Sequence, residues 1–279
     1  MQIPSRPPVV VGVDGTAAGL AAVRLAAREA VSRGTLLSVV HAFSWDEAEA
    51  RGTASRVVEE AVTTAQRSTP GVDVRGQLVD GPAGRVLRKL SRTATLLVLG
   101  ADDLAATGRL PPTSPLLEAV SQAWCPVVVA RAPRPPSGRV IAAVDGSVPS
   151  VLALRYAAED ARRRGIPLDV AHVGDEDAGR QVLDRVIAAV PGLPPLRRRV
   201  LAGPPAATLI RASRRAGLIV LGPRGAGGAG RFGSVADALL RHGGCPTVFV
   251  HGRREPAGKS KPGHLTGQFR PVASGPLLR

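Results

Sequence analysis

The sequence predicts an α/β protein of two tandem domains, each an open five-stranded parallel sheet covered by helices, and three repeated landmarks carry that expectation. Val13-Asp14-Gly15-Thr16, with the segment running on to Gly34, returns as Val144-Asp145-Gly146-Ser147 running on to Gly165. Within it Ala22/Ala153, Arg24/Arg155, Ala26/Ala157 and Ala27/Ala158 match at one offset. Asp80-Gly81-Pro82-Ala83, leading to Leu96-Leu97-Val98-Leu99-Gly100, returns as Ala202-Gly203-Pro204-Pro205 leading to Leu218-Ile219-Val220-Leu221-Gly222. Cys125-Pro126 and Cys245-Pro246 each open an apolar run. Three landmarks in one order, twice, mean a duplicated unit, and a copy of ~120 residues can bury a core of its own.

The elements follow in order. Residues 9–13 form an uninterrupted apolar run closed by Asp-Gly, as expected of a strand buried on both faces. Val23, Ala26, Ala27, Ala30 and Val31 then keep helical spacing, with Arg24, Arg28 and Glu29 opposite, and Gly34 ends that helix. Strands are expected at 36–40, 72–78, 96–99 and 127–130, and helices at 48–67, 84–91 and 115–123. The second copy repeats the series, with strands at 140–144, 168–173, 197–201, 218–221 and 247–250. Its helices are expected at 150–164, 179–190, 206–214 and 235–241. Strands alternating with helices give a parallel sheet with both faces covered. The resulting division is 1–131 for the first domain, 132–138 for a short proline-rich linker and 139–251 for the second domain. The remainder, 252–279, is a basic tail of disordered composition.

Composition narrows the function classes. The chain has 279 residues and a net charge of +15. Part of that excess sits in the tail, and part on arginine-rich helix surfaces such as Arg162-Arg163-Arg164. No aromatic residues interleave with these cations, so a solvated basic face is the better reading and nucleic acid is not the expected partner. Cys125 and Cys245 lack the companions of a metal site and read as small buried residues. No apolar stretch reaches membrane-spanning length and residues 1–8 lack a signal-like core, so a soluble, cytoplasmic protein is expected.

Chemistry is expected outside the carboxyl ends of the strands. In the second copy these ends carry Asp145, His172-Val173 and Gly222-Pro223-Arg224-Gly225, the last continuing through a glycine-rich segment to Arg231, Gly233 and Ser234. Such a segment, opening a helix, lets backbone N–H groups and the helix dipole face an anion, with Arg224 and Arg231 adding charge.

These residues resemble the universal stress proteins, over roughly 8–131 and 139–251. The resemblance implies a Rossmann-like, adenine nucleotide alpha hydrolase-like fold, with the two domains paired through their last strands as an intramolecular dimer. It also implies that ATP, accompanied by Mg²⁺, is held by Asp145, Val173, Gly222, Gly225, Gly233 and Ser234. The family pattern Gly-x2-Gly-x9-Gly-Ser/Thr is shortened here, since seven residues separate Gly225 from Gly233. The first copy keeps the longer spacing as Gly100-x2-Asp103-x9-Thr113-Ser114 but loses its glycines, while Asp102 and Asp103 oppose an anion. Nucleotide is therefore expected in the second domain only.

Simpler roles exist for several of these residues. Asp14 and Asp145 suit turn and cap chemistry, Ser234 with Asp237 a capping box, and Ser114-Pro115 an N-cap followed by proline. His41 and His172 read as packed strand-end residues rather than catalysts. No general base or group of Mg²⁺ carboxylates is evident, so the expected role is a stress-response sensing module with at most slow ATP hydrolysis. The alternative is a nucleotide-free protein-interaction module of the same fold. An unidentified protein partner, and pairing of two chains, complete the expectations.

Overall fold

The computed structural model describes residues 6–43, 48–101, 114–131, 138–225 and 232–251. The first copy comprises β1 (Val9–Gly12), α1 (Ala17–Arg33), β2 (Leu37–Phe43), α2 (Ala48–Ser68), β3 (Val74–Asp80), α3 (Ala83–Leu90), β4 (Leu96–Leu99), α4 (Pro115–Gln122) and β5 (Val127–Val129). The second comprises β6 (Arg139–Ala143), α5 (Val148–Arg164), β7 (Leu168–Val173), α6 (Glu176–Ala188), β8 (Leu196–Leu201), α7 (Pro205–Ser213), β9 (Ala216–Leu221), α8 (Ser234–His242) and β10 (Thr247–Phe249). The linker expected at 132–138, apart from Gly138, and the tail expected at 252–279 lie outside the described residues, as do Asp102, Asp103, Thr113 and Arg231.

Local chemistry sets the helix limits. The Thr16 hydroxyl accepts from the Gly19 N–H at 3.1 Å and starts α1. Gly34 and Gly165 end α1 and α5 at φ of 60° and 64°, a region that strongly favours glycine. Some bounds differ from expectation. Strand β2 runs on to Phe43 because β3 pairs with it all the way from Leu37↔Val74 to Phe43↔Asp80. Helix α6 starts at Glu176, since the Asp175 carboxylate accepts from the N–H groups of Asp177 at 3.0 Å and Ala178 at 3.1 Å.

The strands form one ten-stranded sheet in the order β3-β2-β1-β4-β5-β10-β9-β6-β7-β8. Pairing is parallel within each copy and antiparallel only where β5 meets β10, with Val128 opposite Val248. The last strands thus join the copies, as the resemblance implied. Alternation along the strands sorts the side chains: Val9, Val11, Leu37 and Val39 pack with the alanines of α1, while Val10, Val40, Leu97 and Leu99 pack beneath α3 and α4. Both apolar layers continue through β5 and β10 into the second copy. With few aromatics, close approach of Ala22, Ala26, Ala27 and Ala30 replaces bulk in filling the core. No helix among the described residues is long and apolar enough to cross a membrane.

Two further contacts knit the copies together. On one face, Glu29 and Arg33 of α1 meet Tyr156, Asp160, Arg163 and Arg164 of α5. The Glu29 carboxylate binds Arg33 at 3.0 Å, Arg163 at 3.2 Å and Arg164, while Asp160 binds Arg164 at 2.7 Å and Arg163. Arg33 also donates to the Tyr156 hydroxyl at 2.9 Å. Glu29 and Asp160 are 4% and 1% exposed, so Arg163 and Arg164, which the sequence suggested as a solvated face, are held at the surface by two buried carboxylates. Burial pushes the Asp160 carboxyl up; Arg164 pulls it back, and Glu29 repels it.

On the other face each copy caps the other's last helix. Arg131, just past β5, donates to the carbonyls of Leu239 and Leu240 at the end of α8. His251, just past β10, donates from Nε2 to the Val120 carbonyl of α4 at 2.9 Å. Burial, assisted by the positive charge of Arg224, lowers the His251 pKa against the pull of the Val120, Cys125 and Phe249 backbone. A histidine kept neutral in the fold contributes stability above the unfolded value of about 6.5, and loses it as pH falls below that value and through the lower folded one. The thermal midpoint is therefore expected to drop as pH falls below about 6.5, and His251→Gln should flatten that slope. Identical slopes for both proteins would place the titration elsewhere.

Candidate functional site

A cavity of about 450 Å³ opens at the carboxyl ends of the second copy's strands. Its floor is apolar, built from Ala143 of β6, Ala171 of β7, Leu221 of β9 and Leu209 of α7. Its rim is polar, with Asp145, Ser150, His172, Arg224 and Ser234. The six residues singled out in the sequence, Asp145, Val173, Gly222, Gly225, Gly233 and Ser234, all line this one cavity. Ser150, Pro205 and Leu209 line it too and were not foreseen, because they belong to helices whose place over the strand ends is set by packing alone.

Asp145, Ser150 and His172 each have a structural partner. One oxygen of Asp145 accepts from the Ser147 N–H at 3.1 Å and the Ser147 hydroxyl at 2.5 Å, tightening the turn into α5. Asp14 does the same with Thr16 at 3.0 and 2.7 Å. His172 donates from Nδ1 to the Val144 carbonyl at 2.8 Å, and His41 likewise to Val13 at 2.8 Å, so both are packed strand-end residues.

The three glycines differ in what requires them. A Cβ at Gly222 would lie 2.7 Å from Pro149 Cβ, and one at Gly225 would lie 2.5 Å from Asp145 Oδ2. A Cβ at Gly233 would meet its nearest neighbours at an ordinary 3.6 Å, and its φ of −83° suits any residue. Gly222→Ala is expected to cost about 1–3 kcal/mol through overpacking, measurable as a lower denaturant midpoint, whereas Gly233→Ala should leave that midpoint unchanged.

The capping box expected at Ser234 is not formed. Gly233 is the N-cap of α8 and no side chain caps it, while Asp237 pairs with Arg241 at 2.8 Å. Pairing one turn along the helix competes successfully for the Asp237 carboxylate, and the exposed Ser234 side chain stands at the cavity rim. Phe232 packs on Phe249 of β10 with ring centroids 5.6 Å apart, which anchors the chain just ahead of α8. In the first copy Ser114 occupies the N-cap position of α4 with Pro115 following at the first turn, but its side chain makes no capping hydrogen bond.

The corresponding first-copy cavity is smaller, about 180 Å³, and its described lining includes Asp14, His41, Ala42, Gly100 and Ser114. Cys125 and Cys245 are buried, and burial pushes the Cys125 thiol up to about 12, which makes it an inert packing residue. No group of three or more His, Cys, Asp or Glu poised for a metal occurs among the described residues.

Comparison with known proteins assigns the chain. The model of the universal stress protein family matches residues 6–131, 137–189 and 175–251. A universal stress protein of Mycobacterium tuberculosis is 30% identical, covering 86% of this chain and 95% of that protein. A crystal structure of a universal stress protein from Archaeoglobus fulgidus superposes with a TM-score of 0.70 at 19% identity, covering 89% of this chain and 97% of its own. A second Archaeoglobus fulgidus family structure, in complex with dAMP, is 21% identical over 44% of this chain and 96% of its own with a TM-score of 0.38, and that ligand belongs to that protein. With duplicated sheet, paired last strands and family match in agreement, this chain belongs to the universal stress protein family.

Proposed function

We propose that the chain is a stress-response sensing module that holds one adenine nucleotide, ATP, in the cavity of its second domain. The observation that carries this reading is that cavity's division into an apolar floor and a polar rim containing Arg224 at the approach to α8. An adenine ring would lie on the floor near Val173 and Asp145. The phosphates would lie toward Arg224, Gly225, Gly233 and Ser234, where the N-terminal end of a helix favours negative charge. Gly233, which neither packing nor backbone conformation demands, keeps the rim open for them. With no carboxylate cluster among the described residues, Mg²⁺ would be carried by the phosphates themselves. In this reading the chain divides into domains at 1–131 and 139–251, and the first domain, where Asp103 and Thr113 stand in place of motif glycines, has lost nucleotide. We take the chain's role to be binding rather than turnover, the rim's Asp145 and His172 being engaged with Ser147 and the Val144 carbonyl.

The shortened Gly225-to-Gly233 segment favours a second reading, a nucleotide-free interaction module. Isothermal calorimetry of MgATP into full-length protein freed of co-purified ligand separates the two. A stoichiometry near one, abolished by Gly233→Asp, is expected. Two sites would overturn the assignment of the first domain. No heat at several temperatures, with no thermal shift, would leave the interaction module.

A further inference from the structure

Helix α3 carries a charge pattern that neither the fold nor the nucleotide site uses. Its buried side is Val86 and Leu87, while Arg85, Arg88, Lys89 and, just beyond its end, Arg92 are exposed. Arg85, Arg88 and Lys89 stand at i, i+3 and i+4 and so share one helix face, where like charges repel, and Arg92 follows in the turn after it. None of them takes part in an ion pair among the described residues. No acid occurs in the sequence from Ala83 to Ala101. The carboxylate facing the helix from α4 is that of Glu118, and it lies against Gly84 at the first turn, where the stripe begins, without an ion pair to Arg85 or Arg88.

The fold does not demand this stripe. In the second copy the equivalent positions of α7 are Ala207, Ile210, Arg211 and Arg214, so two of the four cations are particular to the first copy. Arg92 is moreover held in place, its guanidinium 5.1 Å from the centre of the Trp124 ring, which limits the freedom lost on binding.

We propose that this face of α3 is a docking surface for a carboxylate-rich segment of a partner protein. Arginine recognises carboxylates through paired N–H donors, and unrelieved repulsion within the stripe becomes attraction once an acidic segment is seated on it. Charge excludes the nearer alternatives. A second copy of this chain carries +15 overall, and the chain's own residues 252–279 hold six Lys and Arg against the single acid Glu255. Nucleic acid fits poorly, because an eight-residue helix offers a track only about 12 Å long and the nearby aromatic ring already stacks with Arg92.

The test uses full-length protein and a fluorescein-labelled Glu/Asp-rich dodecapeptide, read by fluorescence anisotropy at physiological salt. The double variant Arg85→Glu/Arg88→Glu is expected to lose at least about tenfold in affinity. Arg155→Glu/Arg162→Glu, which changes net charge equally on the exposed surface of α5, should stay within about threefold. Equal losses in both would reduce the effect to net charge and overturn the proposal, as would no binding by the unmodified protein. Tighter binding of a single-stranded oligonucleotide, lost in the α3 variant, would overturn it in favour of nucleic acid. Arg85→Gln/Arg88→Gln, which adds no acid, repeats the comparison if the reversed variant fails to reach its native circular dichroism.

Discussion

Glu29→Ala is expected to destabilise the protein by about 3–5 kcal/mol, read as a lower denaturant midpoint with an unchanged slope. The Glu29 side chain is 6% exposed and receives Arg33, Arg163 and Arg164. Without it three guanidinium groups share Asp160 alone, and a buried charge left without its partner costs far more than the intact pair contributes. The loss should fall on both copies in one transition, because Glu29 belongs to the first and Arg163 and Arg164 to the second. A change below about 1 kcal/mol would mean that the arginines swing into solvent and that the network does not hold the copies together.

Gly225→Asp is expected to weaken ATP binding by more than about a hundredfold and to lower the thermal midpoint no less than Gly222→Ala does, without unfolding the protein. A side chain there starts 2.5 Å from Asp145 Oδ2, so the new carboxylate must turn outward, toward the space assigned to the phosphates. A pair of like charges about 4 Å apart near a protein surface repels by about 4 kcal/mol, and each 1.4 kcal/mol is tenfold in affinity. Gly225 is exposed, which makes global unfolding an unexpected outcome. Affinity retained within about threefold would place the nucleotide elsewhere, and calorimetry on the same preparation decides it.

The parts of the fold legible in the sequence were those encoded locally. Apolar runs marked the strands, Gly34 and Gly165 the ends of α1 and α5, and the repeat fixed the duplication. The six candidate residues could be gathered into one cavity because all lie at strand ends or helix starts, positions that a parallel sheet brings together. Contacts made between distant segments were not legible. Arg163 and Arg164 looked like unpaired solvated charges, since nothing in their own neighbourhood announces that Glu29 of α1 will pair with them. A signal did exist: Glu29-Arg33 and Asp160-Arg164 recur at the same repeat positions, an acid four residues before an arginine on facing copies. Ser234 misled in the opposite sense. Its capping-box spacing is correct, yet Asp237 is equally well spaced for Arg241, and spacing alone does not decide between two partners.

The junction at β5 and β10 carries a consequence for how such a chain can evolve. In a homodimer any residue beside the twofold axis appears twice, so a change that suits one side is imposed on the other. Here Arg131 and His251 occupy equivalent places, each closing the opposite copy's last helix, yet one is a permanent cation and the other a group that burial keeps neutral. Covalent linkage has released the two halves from mirrored inheritance. One half is free to specialise in ligand chemistry and the other in a different surface, while the shared sheet keeps both in a single cooperative body.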